Sequence, residues 1–294
     1  MMINQFLNYL RYERNASPQT VQTYDESLRE FESYISLREG RLSLQAVDAD
    51  LIRDWMESLM DKGNSASTIN KKLSALRSFY RYSLKRRLVE KDPAHGIVGP
   101  KKSKPLPQFL RESEMDNLLD QLEWSDKYKD VRARTILILF YEAGLRRSEL
   151  TGLNDADVDF GSRQLKVTGK RNKQRIIPFG QELADALSQY LESRKVQFGL
   201  REDGALFLSD KGERMTGNQV YAIVHRYLTL VTSLKKRSPH VLRHTFATAM
   251  LNNGAGLESI KKLLGHESVD TTEIYAHTTF EHLKRIYKEA HPRA

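Results

Sequence analysis

A helix is predicted to begin in the stretch Ser238-Pro239-His240-Val241-Leu242-Arg243-His244-Thr245, and this helix organises the C-terminal half of the chain. Serine followed by proline is typical of a helix start. The serine oxygen accepts a hydrogen bond from an unsatisfied amide, and proline at the first helical position loses no donor. The helix is predicted to end at Asn252-Asn253-Gly254.

Two side chains on this helix are suited to binding an anion. His240 and Arg243 are three residues apart and lie on one face of the first turn, where the amides and the helix dipole favour negative charge. A guanidinium adds two parallel donors and an imidazole carries a proton, so a phosphate is the natural ligand. An ordinary solvated face is the alternative. His240 and His244 also have the spacing of a metal pair, but without cysteine or an HExxH pattern we expect no metal ion.

The composition is typical of a soluble globular protein. The 294 residues are enough for two domains, with 39% hydrophobic and 29% charged residues. No apolar run is long enough to cross a bilayer and no secretory signal is visible at the N-terminus, so we expect a cytoplasmic protein. The absence of cysteine excludes disulfides, a thiolate nucleophile and cysteine-based zinc sites.

Positive charge is in excess and is concentrated in one region. The formal net charge is +9 and the pI is about 9.5, which indicates a polyanionic partner. Between Lys71 and Lys104 there are eleven Lys or Arg residues, against only Glu90 and Asp92. A basic run with so few carboxylates lacks the ion pairs typical of a merely solvated helix.

Hydrophobic periodicity predicts four helices in the N-terminal part. They cover Ile3 to about Leu10, a segment starting at Pro18, Asp48 to Asp61, and a segment capped by Ser67 or Thr68. The apolar positions of the second helix are Val21, Tyr24, Leu28, Phe31 and Ile35.

The fourth helix has two distinct faces. The face predicted to be buried contains Ile69, Leu73, Leu76, Tyr80 and Leu84. The opposite face, which we call the basic stripe, contains Lys71, Ser74, Ser78, Arg81 and Lys85. The basic stripe favours contact with a phosphate backbone, although a solvated face is the alternative.

A Pro-, Gly- and Lys-rich segment follows and is predicted to be a linker that carries Lys101, Lys102 and Lys104. The second domain then begins, helical through Leu122, with an apolar core segment that stops at Gly144. Strands are predicted around Asp157 to Phe160, Gln164 to Thr168 and Arg175 to Pro178, with a turn at Gly169 to Lys173. A small antiparallel sheet is the simplest arrangement.

Five sequence features now occur in a recognisable order. They are Gly144-Leu145-Arg146-Arg147-Ser148-Glu149-Leu150, a lysine in a hairpin turn, His240-x-x-Arg243, Leu264-Gly265-His266, and Tyr275. In this order and spacing they resemble the tyrosine recombinase (integrase) family, over nearly the whole chain. Within the family the chain is most similar to the Xer-type recombinases, which resolve chromosome dimers in bacteria.

The resemblance implies a mainly α fold with a small antiparallel sheet. It implies a four-helix, SAM-like core-binding domain at 1–92, a linker at 93–107 and an α+β catalytic domain at 108–294, which together form a DNA clamp. Because the helical domain begins close to Met1, we expect no additional arm-binding domain.

The resemblance also implies the role of each site residue. Arg146 and Arg243 match the two arginines that bind the scissile phosphate, and Tyr275 rather than Tyr287 matches the nucleophile that forms a 3′-phosphotyrosyl link. His240 matches the base. Arg147 is the better candidate for an ordinary surface arginine.

Three further positions complete the implied site. Lys170 would protonate the departing 5′-oxygen. Arg171 stands where the family commonly has glycine, so Lys173 is the reserve candidate. His266 would bond the phosphate, and Glu149 would steady the site.

No ATP, metal or other cofactor is expected, because one phosphate ester replaces another and the sequence lacks a phosphate-binding loop and a tight carboxylate cluster. The implied partners are a double-stranded DNA recombination site, a homo- or hetero-tetramer on two sites, a second Xer-type recombinase and a septal DNA translocase. Alternatives are a transposon- or phage-type integrase, a type IB topoisomerase and an inert DNA-binding protein. A last helix is predicted from Phe280 to Ala290, packed on a neighbouring protomer or on its own domain.

Overall fold

The computed structural model describes residues 2–39, 43–102, 108–169, 172–200, 204–265 and 276–293, and it describes no side chain at 39 or 276–282. The chain divides into two compact units, Met1–Pro105 and Leu106–Ala294. Each unit has its own hydrophobic core. In the described part of the chain, no helix is both long and apolar enough to cross a membrane.

The regular elements in the described part of the N-terminal unit are all helices, as predicted. Its helices are α1 (Met2–Asn8), which continues as a π-helical segment (Tyr9–Glu13), α2 (Pro18–Glu39), α3 (Ala49–Asp61) and α4 (Ala66–Lys85). Asp48 caps α3, since its Oδ1 accepts a hydrogen bond from the Leu51 amide at 2.8 Å.

Two details predicted for α4 are wrong. The cap is Ser65 rather than Ser67 or Thr68, because Ser65 Oγ accepts the Thr68 amide at 3.2 Å. Leu84 is 42% exposed instead of buried. At 100° per residue it lies roughly 60° around the helix from Ile69 and in the last turn. The other four apolar positions of this face are buried as predicted.

The C-terminal unit combines helices with one small sheet. The helices are α5 (Glu112–Asp116) with a π-helical continuation (Asn117–Gln121), α6 (Tyr128–Ala143), α7 (Arg147–Gly152), α8 (Gln181–Phe198), α9 (Gly217–Val231), α10 (Pro239–Asn252), α11 (Leu257–Leu264) and α12 (Ala276–Ala290). The strands are β1 (Val158–Asp159), β2 (Gln164–Thr168) and β3 (Gln174–Pro178), with a 3-10 turn (Asp155–Asp157) before β1. They pair in the order β1-β2-β3, antiparallel throughout, which confirms the predicted sheet.

Helix α6 is the centre of this unit. It is buried along nearly its whole length and packs against α8 and α10. Its central segment, Thr135 to Phe140, is almost entirely apolar and is fully buried, as the sequence predicted.

The predicted start of α10 is confirmed, but its predicted cap and the predicted start of the last helix are wrong. α10 begins at Pro239, but the Ser238 side chain forms no capping hydrogen bond, and the first turn is closed by the Val241 amide donating to the Ser238 carbonyl at 2.9 Å. α12 begins at Ala276, earlier than the predicted Phe280.

Candidate active site

A sharp turn at Gly144 places Arg146 at the start of α7. Gly144 has a left-handed backbone with φ +56°, and a Cβ there would lie 2.5 Å from the Phe246 ring. Only glycine satisfies both conditions. The chain therefore reverses tightly after α6, and Arg146 becomes the N-cap residue of α7.

Arg146 is held by the helix that it begins and by α11. Its amide donates to Glu149 Oε2 at 2.8 Å, and its Nη1 donates to Glu149 Oε1 at 2.7 Å. Its Nη2 donates to the carbonyl oxygen of Gly265 at 2.9 Å. About a third of the side chain is exposed, so Arg146 is fixed in direction but still accessible to a ligand.

Arg243 enters the same site from α10 and is buried. Its Nη1 and Nη2 donate to the carbonyl oxygens of Gly144 and Leu264, each at 2.6 Å. Burial and the nearby charge of Arg146 lower its pKa to about 10. The structure thus brings together two arginines that are almost a hundred residues apart in sequence.

A third arginine in this cluster, Arg175 on β3, was missed by the sequence analysis. Its Nη1 and Nη2 donate to the two oxygens of Glu149 at 2.8 and 2.9 Å, and its Nε donates to the Leu263 carbonyl at 2.7 Å. Strand alternation would have indicated it. Arg175 is in phase with the buried Ile177, while Ile176 between them is exposed, so a charged residue faces inward.

Three successive carbonyl oxygens at the end of α11 accept from three different arginines. Leu263 accepts from Arg175, Leu264 from Arg243 and Gly265 from Arg146. The last carbonyls of a helix lack intrahelical partners and carry the negative end of its dipole, so they suit cations. The end of α11 therefore orients the whole cluster.

Glu149 is the anionic centre of the cluster and is 3% exposed. Burial alone would raise the pKa of its carboxyl, but hydrogen bonds and charge from Arg175, followed by hydrogen bonds from Arg146, lower that pKa to about 2. Its carboxylate lies 3.8 Å from Arg243 Nη1. One carboxylate beside three guanidinium groups leaves a local excess of positive charge, which favours an anionic ligand.

His240 lies in the first turn of α10 with an exposed side chain. Its pKa is lowered, chiefly by partial loss of solvent and then by the charges of His244, Arg243, Arg147 and Arg146. A lowered pKa keeps the imidazole neutral near pH 7, in the form that accepts a proton.

Lys170, His266 and Tyr275 lie outside the described residues. Lys173, the alternative to Lys170, is exposed, and its carbonyl accepts the Gly169 amide at 2.7 Å, which closes the turn between β2 and β3. Arg147, predicted to be a surface residue, is exposed.

The basic stripe of the N-terminal unit lies on the outer side of α4. Its Lys71, Ser74, Arg81 and Lys85 are exposed, and Ser78 is half-buried. Over the residues that the structure describes, no carboxylate forms an ion pair with the stripe's Lys or Arg side chains. Lys101 and Lys102 are also exposed, and Lys104 is outside the described residues.

The last helix packs on its own unit, which is one of the two arrangements considered above. Leu283 and Tyr287 are buried, and the Tyr287 hydroxyl donates to Glu142 Oε2 on α6 at 3.1 Å. Burial raises the pKa of Glu142 to about 8 and that of Tyr287 well above its ordinary value. In this position the Tyr287 phenol is buried, hydrogen-bonded to a carboxyl group and not accessible to a substrate.

Comparison with protein families decides what kind of protein carries this cluster. The model described as the phage integrase family matches residues 108–282. The model described as the phage integrase N-terminal SAM-like domain matches residues 3–87. The chain belongs to the phage integrase family. This is the tyrosine recombinase family that the sequence motifs indicated, so the chain is a DNA strand transferase of the tyrosine type.

Curated relatives place the recombinase near the Xer branch. It is 39% identical over 317 residues to tyrosine recombinase XerC of Chlorobaculum tepidum, covering 99% of this chain and 94% of the relative. It is 36% identical to tyrosine recombinase XerC of Pelotomaculum thermopropionicum, covering 99% and 98%. The similarity to Xer recombinases expected from the sequence is confirmed.

Solved structures share the fold. The XerH site-specific recombinase bound to its difH substrate has a TM-score of 0.70 at 24% identity, covering 97% of this chain and 80% of that one. The Tn1549 transposon integrase in complex with transposon right-end DNA has a TM-score of 0.74 at 22% identity, covering 96% and 99%. At these identities the likeness supports the fold alone.

Proposed function

We propose that this recombinase cuts DNA by transferring a backbone phosphate from a 5′-oxygen to the phenolic oxygen of Tyr275. The observation that carries the proposal is the pair Arg146 and Arg243, fixed beside each other by backbone carbonyls and by Glu149. Two adjacent guanidinium groups in a partly buried site are already oriented for the negative charge that develops on a phosphate during attack.

The cleavage step exchanges one ester for another. The Tyr275 oxygen forms a bond to phosphorus while the bond from phosphorus to the 5′-oxygen breaks. The phenolic proton passes to His240, and the departing 5′-oxygen takes a proton from Lys170, with Lys173 as the alternative donor. Rejoining is the reverse reaction with the 5′-hydroxyl of the partner strand, so no outside energy source is needed.

The remaining site residues prepare this step. A phenol has a pKa of about 10, so it needs a base or a cationic setting to lose its proton near pH 7. The lowered pKa of His240 suits it to be that base. We assign His266 to a hydrogen bond with the scissile phosphate, and Glu149 to holding the arginines in place.

The basic stripe on α4 supplies contacts to the DNA backbone. Its exposed cations, which form no ion pair with any carboxylate of the described residues, suit phosphates, and phosphate contacts fix the position of a protein on DNA without reading the sequence. The exposed Lys101 and Lys102 are further candidates for phosphate contacts, and we assign Lys104 to the same role. The protein acts in the cytoplasm, where chromosomal DNA is accessible to it.

The biological role that fits best is resolution of chromosome dimers at a specific site. Support comes from XerC relatives that match over nearly the whole chain. In this role four protomers act on two DNA sites through a Holliday junction, as one kind of chain or together with a second Xer-type recombinase, under control of a septal DNA translocase. Transposon or phage integration is less well supported by these relatives.

Trapping of the covalent intermediate tests the proposal. The protein is incubated with a nicked suicide duplex carrying the recombination site of the host chromosome terminus, and adducts are separated on a denaturing gel. We expect an adduct with the wild-type protein and none with Tyr275→Phe. Tyr221→Phe, a change at an exposed tyrosine of α9, is the control that keeps the adduct. Adduct formation by Tyr275→Phe would contradict the assignment.

A two-site assay separates recombination from topoisomerase activity. A recombinase produces Holliday junctions and exchanged strands from two duplexes, whereas a type IB topoisomerase only relaxes one. Relaxation without exchanged strands would contradict the recombinase proposal.

A further inference from the structure

Arg175 connects three separate elements of the catalytic unit. It lies on β3, donates to both oxygens of Glu149 on α7, and donates to the Leu263 carbonyl at the end of α11. Its side chain is only 13% exposed. A guanidinium with three such bonds is fixed in position and orientation, which a lysine ammonium on a flexible stem cannot reproduce.

Two glycines leave room for this connection. A Cβ on Gly265 would lie 3.0 Å from Arg175 Nη1, and Gly265 has a left-handed backbone with φ +64°. A Cβ on Gly169 would lie 3.3 Å from Glu149 Oε1. The hairpin and the end of α11 thus both approach the Arg175–Glu149 pair closely.

Arg175 also stands at the base of the turn that carries the candidate acid. Val167 pairs with Arg175 across the hairpin and Thr168 pairs with Gln174, after which the Gly169 amide bonds the Lys173 carbonyl. Lys173 is two residues from Arg175 and Lys170 is five. Because Arg175 is held in place, the ends of the two strands that lead into the turn are held as well, and both lysines belong to that turn in sequence.

We propose that Arg175 is a positioning residue that holds the β2–β3 turn against α7 and α11, so that the turn lysine reaches the departing 5′-oxygen. This inference rests on the proposed cleavage reaction, but it concerns a residue that contacts no reacting atom. Glu149 keeps two bonds from Arg146 without Arg175, so the turn is the element most affected by its loss.

A purely structural role is the competing explanation, and Arg194 provides a matched control for it. Arg194 is equally buried, with 13% of its side chain exposed, and forms a two-bond pair with Asp155. It also donates to the Ala205 and Leu206 carbonyls. Arg175→Lys and Arg194→Lys therefore remove similar bonding patterns at two places in the same unit.

Single-turnover cleavage with two substrates isolates the effect on proton delivery. One suicide duplex has the ordinary 5′-oxygen at the scissile bond and the other has sulfur in its place. The 5′-oxygen needs a proton to depart, whereas the sulfur departs as a thiolate without one.

With the oxygen substrate, we expect Arg175→Lys to slow cleavage by on the order of 100-fold, the effect of a displacement of about 1 Å. The Arg175→Lys variant should cleave the sulfur substrate at nearly the wild-type rate. Arg194→Lys should match wild type on both substrates. An unchanged rate for Arg175→Lys on oxygen, or an equal loss on sulfur, would overturn the proposal.

Hydrogen exchange provides a readout that does not depend on cleavage. We expect the Gly169 amide, which closes the turn, to exchange faster in Arg175→Lys than in Arg194→Lys or wild type. Equal exchange in all three would overturn the proposal. If wild type cleaved neither substrate, the proposed function would be at fault, and the exchange rates would still decide whether Arg175 holds the turn.

Discussion

Arg243 and Arg146 donate hydrogen bonds to the carbonyl oxygens of two consecutive residues, Leu264 and Gly265, at 2.6 and 2.9 Å. Consecutive carbonyls are separated by a fixed length of backbone, so the two guanidinium groups are held at a fixed separation as well. The start of α7 and the first turns of α10 are thereby linked through the end of α11.

The first prediction concerns this pair. Arg146→Lys keeps a positive charge but loses the planar guanidinium group that donates to Glu149 and to the Gly265 carbonyl at the same time. We expect the rate of adduct formation to fall by a factor on the order of 100 or more, as for the loss of a single donor at other oxyanion sites. Arg147→Lys, a change at the exposed neighbour, should leave the rate unchanged. Similar rates for the two variants would contradict the assignment of Arg146 to the scissile phosphate.

The second prediction concerns how the stability of the folded protein depends on pH below neutrality. The pKa of Glu149 is about 2 in the folded protein against an ordinary 4.5, so its ionised form contributes up to about 3 kcal/mol at neutral pH. Because the folded pKa is the lower one, this contribution is present above pH 4.5 and is lost as the pH falls towards 2.

Thermal unfolding of wild type and Glu149→Gln between pH 6 and 3 tests this dependence. We expect the wild type to be the more stable protein at pH 6, and the difference in Tm to narrow as the pH falls. A difference that stays constant across this range would show that the carboxylate charge is not what stabilises the fold.

The third prediction concerns Glu142, whose contribution to stability changes with pH in the direction opposite to that of Glu149. Burial raises the pKa of its carboxyl to about 8, so the folded protein holds a proton that the unfolded chain releases above about pH 4.5. Stability from this group is therefore present at low pH and is lost as the pH rises towards 8. Glu142→Gln keeps an acceptor for Tyr287 and cannot ionise, so its Tm relative to wild type should increase from pH 5 to pH 8. Asp185→Asn, at an exposed position, should show no such trend.

The fourth prediction concerns the basic stripe. Arg81→Gln should weaken DNA binding and reduce the slope of log affinity against log salt concentration by about one, the value for one lost phosphate contact. The rate of adduct formation at saturating DNA should stay the same. Arg29→Gln is the control, because Arg29 pairs with Asp25 and Glu32 on its own helix. Equal salt-dependence slopes for the two variants would show that the basic stripe does not contact the DNA backbone.

Much of the fold was predictable because apolar spacing reports the buried face of each helix. The four N-terminal helices, the apolar segment of α6 and the antiparallel sheet all follow from such patterns. Local capping was less predictable, since several residues near a helix start can accept an amide and only the backbone path selects one. Ser65 caps α4 in this way, while Ser238 forms no side-chain cap at α10.

The site was predictable where a motif names its residues and unpredictable where contacts depend on packing. The positions of Arg146, Arg243 and Glu149 follow from the motif order, but nothing in the motif shows that α11 offers them its last carbonyls. Arg175 lies outside the quoted motifs, and its partner Glu149 is 26 residues earlier. Finding it requires the strand phase and the knowledge that α7 lies beside β3.

The crowding of three arginines around one carboxylate affects how stable the protein is against unfolding and degradation in the cell. These cations repel one another in the free protein, and an anion bound between them, such as a DNA phosphate, would reduce this repulsion. DNA-bound protein should therefore resist heat and proteases better than DNA-free protein. In the cell, the DNA-free molecules should be degraded first.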